Sequence, residues 1–78
     1  MLPAVSLVLY QRDDCHLCDQ ALLELARAGI SDFESVFIDD LPELVVRYGE
    51  RVPVLAGLPG GRELDWPFDA AALRAALG

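Results

Sequence analysis

Two cysteines stand three positions apart in the segment Cys15-His16-Leu17-Cys18. Residues at positions i and i+3 of a helix lie about 5–6 Å apart, which is within the separation that a disulfide accepts. The ring would enclose only four residues. It would therefore stabilise the fold by less than the roughly 3 kcal/mol of a 15-residue loop. The spacing thus favours a redox-active disulfide, which forms and breaks, rather than a disulfide that serves to stabilise the fold.

The position of the pair in the chain favours a reactive sulfur. A polar loop at Gln11–Asp14 follows an apolar strand, and a helical pattern of apolar residues covers Cys15–Ala28. The free N–H groups and partial positive charge of a helix N-terminus stabilise a thiolate. Such sites lower a cysteine pKa from about 8.5 into a range of about 3.5–7.5. We therefore expect a depressed pKa at Cys15.

Charged neighbours of the pair act in both directions. Arg12 and His16, when protonated, would lower the Cys15 pKa, whereas Asp13 and Asp14 would raise it by repulsion. We expect the two aspartates to be solvated and to cap the helix. For His16, an exposed position at the helix start and a role in tuning the sulfur remain alternatives.

A zinc site and an inert pair are the competing interpretations. A structural zinc site uses four ligands, and this segment offers only Cys15, Cys18 and His16. His16 would also point away from a cysteine pair on one helical face, so we assign no metal site. Two buried, unreactive cysteines are the remaining alternative, because cysteine often packs as a small hydrophobic residue.

The elements around the pair predict an α/β fold in the order β-α-β-α-β-β-α. Strands are predicted at Ala4–Tyr10, Phe33–Ile38, Arg51–Ala56 and Arg62–Trp66, a turn at Gly57–Gly61, and helices at Cys15–Ala28, from Asp40-Leu41-Pro42-Glu43 to Gly49, and at Ala70–Leu77. A helical crossover makes the first two strands parallel, and the last two form an antiparallel hairpin. The result is an α+β sandwich: a four-stranded mixed sheet with helices on both faces.

Several local expectations accompany this fold. The nearly continuous apolar run at Ala4–Tyr10 predicts a strand buried on both faces. Asp40 is predicted to cap the second helix and Asp69 the third. Gly29 suits the left-handed position that ends the first helix.

The chain resembles the thioredoxin fold, and among its members the glutaredoxins and a family of small glutaredoxin-like proteins. Three segments carry the resemblance over nearly the whole chain: LVLYQRDDCHLCDQALLEL, VFIDDLPELVVRYG and RVPVLAGLPGGRELDWPFD. The specific combination is a C-x-x-C at a helix start with Arg51-Val52-Pro53 before a later strand.

The resemblance implies a thiol–disulfide oxidoreductase. Cys15 matches the attacking cysteine and Cys18 the resolving one. Pro53 matches a proline held in cis, and Val52 before it offers main-chain hydrogen bonds to the substrate. Arg12 and His16 complete the candidate substrate-binding set.

Departures from the glutaredoxin pattern put glutathione binding in doubt. His16-Leu17 stands where many glutaredoxins have Pro-Tyr, and Arg12 is the nearest cation where they have a lysine. The pair Gly60-Gly61 falls in the hairpin turn, earlier than the glutathione-binding glycines. Trp66 and Phe68 before the last helix are predicted to pack in the core or at its edge.

Composition limits the partners. The 78 residues form one domain, 1–78, and 6 Lys+Arg against 13 Asp+Glu give a net charge of −7. This charge disfavours nucleic acid and anionic membrane surfaces. No apolar run approaches the roughly 20 residues of a transmembrane span, and the N-terminus lacks a basic signal region, so we expect a cytoplasmic protein.

We expect a monomer with no bound cofactor, since no Rossmann glycine fingerprint is present. Its substrate would be a disulfide-containing protein or a small thiol, and its reductant glutathione or a donor of the thioredoxin-reductase type. Two other functions stay open. One is a module that binds a metal or an iron–sulfur cluster through Cys15, and the other is a non-catalytic adaptor whose acidic face meets a basic partner.

Overall fold

The computed structural model describes residues 7–78 and contains the predicted elements in the predicted order. They are β1 (Leu7–Gln11), α1 (His16–Arg27), β2 (Phe33–Phe37), α2 (Pro42–Tyr48), β3 (Val54–Leu58), β4 (Arg62–Asp65) and α3 (Ala70–Leu77). The part of the first predicted strand at residues 4–6 lies outside the described residues.

The four strands form one mixed sheet in the order β2-β1-β3-β4. The strands β1 and β2 run parallel, with Leu7 opposite Phe33 and Gln11 opposite Phe37. The pairs β1–β3 and β3–β4 are antiparallel. These pairings confirm the predicted crossover and hairpin, and they place the C-terminal ends of β1 and β2 side by side.

Helices cover both faces of the sheet, as predicted. One core joins α1 and α3 to one face; its buried residues are Leu7, Leu9, Ala21, Leu25, Leu55, Leu58, Phe68 and Leu73. The other joins α2 to the opposite face around Ile38, Tyr48 and Val54. Trp66 packs edge-on against the buried Phe68, with ring centroids 5.1 Å apart, which confirms the packing role of both rings.

The first strand differs from its prediction. Only Leu7, Leu9 and Gln11 are fully buried, whereas the alternate side chains of Val8 and Tyr10 are half-buried. The face that carries Tyr10 meets the smaller core, where the Tyr10 ring stacks on Tyr48. The strand also extends to Gln11, which the sequence placed in the following loop.

The predicted boundaries of the third strand were wrong. The N–H groups of Arg51 and Val52 donate to the carbonyl oxygen of Tyr48 at 2.8 and 3.0 Å, so they serve the end of α2 and not the sheet. Pro53 has no N–H to contribute to a ladder. The strand β3 therefore begins at Val54 and continues to Leu58. It includes Gly57, where the sequence predicted the start of a turn.

The predicted cap of the second helix was also wrong. A 3₁₀ turn at Ile38–Asp40 ends β2 one residue early, because the Leu41 N–H donates to the Ile38 oxygen at 2.8 Å. Leu41 then takes the cap position without a side-chain hydrogen bond, and Asp40 makes no cap. Asp69, by contrast, caps α3 through the Ala72 N–H at 2.8 Å, as predicted.

The end of α1 follows its prediction. Gly29 has a φ of 77°, and the Ile30 N–H donates to the Leu25 oxygen at 2.9 Å. This pattern ends a helix through a left-handed residue, and glycine adopts that conformation without steric cost. The helix itself is one residue shorter at each end than the sequence predicted, since Cys15 and Ala28 are its caps.

Candidate redox site

Cys15 is the N-cap residue of α1, and its sulfur performs the capping. Its backbone is extended, with φ −109° and ψ 97°. The Cys18 N–H donates to the Cys15 sulfur at 3.2 Å and to the Cys15 carbonyl oxygen at 3.0 Å. The sulfur therefore occupies the place where a helix N-terminus concentrates free donors and partial positive charge.

The two cysteines form a pair within one helical turn. Their sulfurs lie at disulfide bonding distance, and their Cα atoms are 5.2 Å apart. Cys18 is 2% exposed, whereas Cys15 is half-buried. Cys15 is therefore the more exposed residue of the pair, while Cys18 is covered.

The expectation that Asp13 and Asp14 cap this helix was wrong. The Asp14 backbone lies in the left-handed region, with a φ of 55°, a conformation that aspartate tolerates better than most residues. The turn that it makes places Cys15 in the extended cap conformation, so the sulfur and not a carboxylate accepts from the Cys18 N–H in the first turn. The Asp13 N–H donates instead to Oδ2 of Asp39 at 2.8 Å.

Arg12 is held by groups on neighbouring segments. Its Nε donates to Oδ1 of Asp39 at 2.8 Å, and its Nη1 donates to the Gly49 carbonyl oxygen at 3.4 Å. The N–H of Asp13, followed by the guanidinium of Arg12, holds the pKa of the Asp39 carboxyl below its ordinary value. The charge of Arg12 is thereby matched by a carboxylate.

A surface groove of about 470 Å³ surrounds the cysteine pair. Its lining residues are Gln11, Arg12, Asp13, Asp14, Cys15, His16, Cys18, Asp19, Leu22 and Phe37. The groove thus brings together four of the six residues that the sequence singled out, with His16 exposed on its wall. The other two, Val52 and Pro53, are not among its lining residues.

Val52 and Pro53 lie on the approach to β3. Pro53 is fully buried, and the peptide bond between Val52 and Pro53 is cis. Val52 is half-buried against the smaller core, and its N–H is engaged by the Tyr48 carbonyl.

Among the residues of this site that sequence reasoning missed are Gln11, Phe37 and Asp39. The signal that identifies them is the parallel pairing of β1 and β2, whose C-terminal ends meet at one edge of the sheet. Gln11 lies opposite Phe37 in the register, and both line the groove. Asp39 follows β2 as Arg12 follows β1, so the two can pair.

Two further findings concern the described part of the chain. Among residues 7–78, no group of three or more His, Cys, Asp and Glu side chains is arranged to hold a metal ion. None of the helices in the same range has the length and apolar character needed to span a membrane.

The sheet order, the helices on both faces of the sheet and the cysteine pair at the start of α1 define a glutaredoxin-like protein of the thioredoxin-fold superfamily. The family described as "Glutaredoxin-like domain (DUF836)" matches residues 6–78, and the chain belongs to this family.

Solved structures agree with this assignment. The crystal structure of target protein XcR50 from X. campestris is 67% identical over 88% of this chain and 91% of that chain, with a TM-score of 0.82. Its solution structure gives a TM-score of 0.81 at the same identity, covering 88% of this chain and 87% of that one. Protein Ne2328 from Nitrosomonas europaea is 28% identical over 100% of this chain and 96% of that chain, with a TM-score of 0.71. The comparison with curated proteins gave no match.

Proposed function

We propose that the protein is a dithiol oxidoreductase that exchanges disulfides through Cys15. The observation that carries this proposal is the asymmetry of the pair. The Cys15 sulfur caps a helix on a half-buried residue, whereas Cys18 is buried one turn away, and the two sulfurs lie within bonding distance. A helix N-terminus favours the thiolate, which is the attacking species in disulfide exchange.

The reaction proceeds in two displacements. The Cys15 thiolate attacks one sulfur of the substrate disulfide, a mixed disulfide forms, and the other substrate sulfur leaves as a thiolate with its electron pair. The Cys18 thiolate then attacks the Cys15 sulfur, the Cys15–Cys18 bond forms, and the second substrate thiolate leaves. Two electrons pass to the substrate, and its two thiolates take protons from water. Glutathione or a donor of the thioredoxin-reductase type returns the pair to the dithiol.

Val52, Arg12 and His16 would bind the substrate. Since the Val52 N–H is occupied by Tyr48, the carbonyl oxygen is the main-chain group of Val52 that a substrate would bind. Arg12 and His16 would bound the groove on either side of Cys15. A dithiol of this kind works in a reducing compartment, so we propose that the protein acts in the cytoplasm. We also propose that it acts as a monomer.

Two single-cysteine variants test the proposal. Cys15→Ser should abolish reduction of a disulfide substrate, because the attacking sulfur is gone. Cys18→Ser should still attack but should stop at the mixed disulfide, which mass spectrometry detects as an adduct on Cys15. Each variant is the matched control for the other, since both remove one thiol and the same ring.

Several outcomes contradict the proposal. One is equal activity of both variants and the wild type, and another is an adduct that forms on Cys18 in the Cys15→Ser variant. A wild-type protein that reduces nothing with either donor would also contradict it. If that inactive protein contains stoichiometric iron or zinc, the metal-binding alternative gains support.

A further inference from the structure

The groove around the cysteine pair carries uncompensated negative charge. Asp13, Asp14 and Asp19 are exposed on its wall. Among residues 7–78, no ion pair or side-chain hydrogen bond engages their carboxylates. Arg12 is the one arginine in the lining, and Asp39 neutralises it at 2.8 Å. The groove therefore presents about three negative charges to whatever approaches the sulfur.

The groove also contains a buried polar side chain that lacks a partner in the described part of the chain. Gln11 is 3% exposed and is the buried polar residue of the described core. None of the side-chain hydrogen bonds within residues 7–78 involves its amide. Gln11 is also one of the residues that line the groove.

An apolar surface completes the groove. Phe37, opposite Gln11 in the sheet, is 50% exposed and lines the groove together with the half-buried Leu22. A phenyl ring left half in water beside a reactive sulfur offers apolar area to a bound segment. The amide of Gln11 can both donate to and accept from a peptide main chain.

On the basis of the proposed function, we propose that this groove selects disulfides carried by cationic protein segments and disfavours anionic ones, including glutathione disulfide. The three aspartates attract the cation, Phe37 contacts apolar side chains, and the Gln11 amide binds the main chain next to the substrate cysteine. The exchange itself is the two-step displacement described above, with the same balance of bonds and electrons.

Three small disulfides of different charge test the preference. The reduced protein is mixed in a single turnover with cystamine, which is cationic, with neutral 2-hydroxyethyl disulfide, and with anionic 3,3′-dithiodipropionate. Each rate is divided by the rate of dithiothreitol with the same disulfide, which removes the intrinsic reactivity. At an ionic strength of 0.1 M we expect the relative rate with the cationic disulfide to exceed that with the anionic one by about tenfold. At 1 M the ratio should be less than about twofold, because salt screens the carboxylates.

A pair of charge-matched variants shows whether the groove causes the preference. The triple variant Asp13→Asn, Asp14→Asn, Asp19→Asn should lose it. The control Asp32→Asn, Glu34→Gln, Glu43→Gln changes the net charge equally, from −7 to −4, at exposed positions outside the groove lining. The control should keep most of the preference, since these side chains do not line the groove and salt screens exposed charges over a Debye length of about 10 Å.

The Gln11 contact has its own test. Gln11→Leu should slow reduction of a disulfide-linked peptide dimer by about fivefold, the loss of one hydrogen bond of about 1 kcal/mol. It should slow the reduction of cystamine, which has no main chain, by less, so that the ratio of the peptide rate to the cystamine rate falls. Equal slowing with both would mean that Gln11 acts only on the fold.

The outcomes separate the preference from the proposed function. If the protein reduces all three disulfides at equal relative rates, or the anionic one fastest, the preference is overturned and the oxidoreductase stands. A preference that the control triple variant removes as fully as the groove variant overturns the role of the groove. If none of the three disulfides reacts, both proposals fall.

Discussion

At the scale of single residues, the site depends on which atoms occupy the free positions at the start of α1. The Cys15 sulfur takes the N-cap place that the sequence assigned to a carboxylate. Asp39 binds both the Asp13 N–H and the Arg12 side chain. The place of Cys15 at the start of α1 was accessible from the sequence. The neutralisation of Arg12 was not, because it depends on a residue 27 positions away.

The carboxylate of Asp39 should make the stability of the protein depend on pH. Its pKa is lowered in the folded protein, so its contribution to stability is present above the unfolded pKa of about 3.9 and is lost as the pH falls through the lowered value. Asp39→Asn should therefore reduce the free energy of unfolding at pH 7, and the difference from wild type should shrink toward pH 3. Urea unfolding at the two pH values measures both.

The neighbouring acid provides the control for this experiment. Asp40 is exposed and makes no ion pair within the described residues, so Asp40→Asn should change stability little at either pH. A deficit of Asp39→Asn that is the same at pH 3 and pH 7 would show that the carboxylate charge is not involved.

At the scale of elements, local patterns predicted the order and type of every helix and strand. The predicted boundaries of these elements were wrong where a backbone N–H donates to an acceptor in a neighbouring element. The third strand begins late because Arg51 and Val52 donate to the end of α2. The helix α2 has Leu41 and not Asp40 as its cap because a 3₁₀ turn precedes it. A sequence pattern shows which faces are apolar, but it does not show where a particular N–H finds its acceptor.

The helix α1 positions the pair through its buried face, and two leucines test this. Leu25 is fully buried against the sheet, whereas Leu23 on the same helix is 51% exposed. Leu25→Ala should lower the free energy of unfolding by about 2–5 kcal/mol, because it leaves a cavity. Leu23→Ala should stay within about 0.5 kcal/mol of wild type. Urea unfolding compares the two, and similar losses would contradict the assigned face.

At the scale of the whole molecule, we expect the fold not to depend on the cysteine pair. Two cores, one on each face of the sheet, join all three helices to the strands. The pair lies at one end of α1 and closes a ring of only four residues. A domain of this size has a total stability of about 4–12 kcal/mol at typical values per residue. A working redox pair requires that both of its states remain folded.

Reduction of the pair should therefore cost little stability. The chain-entropy relation gives about 2 kcal/mol or less for a four-residue ring, which is smaller than the expected total. Urea unfolding with and without a phosphine reductant should show one cooperative transition in both cases, with the reduced protein less stable by at most that amount. Cys18→Ser should match the reduced wild type, since neither contains the ring. A reduced protein that unfolds without denaturant would show that the bond braces the fold, and it would remove the physical basis for a pair that cycles between two folded states.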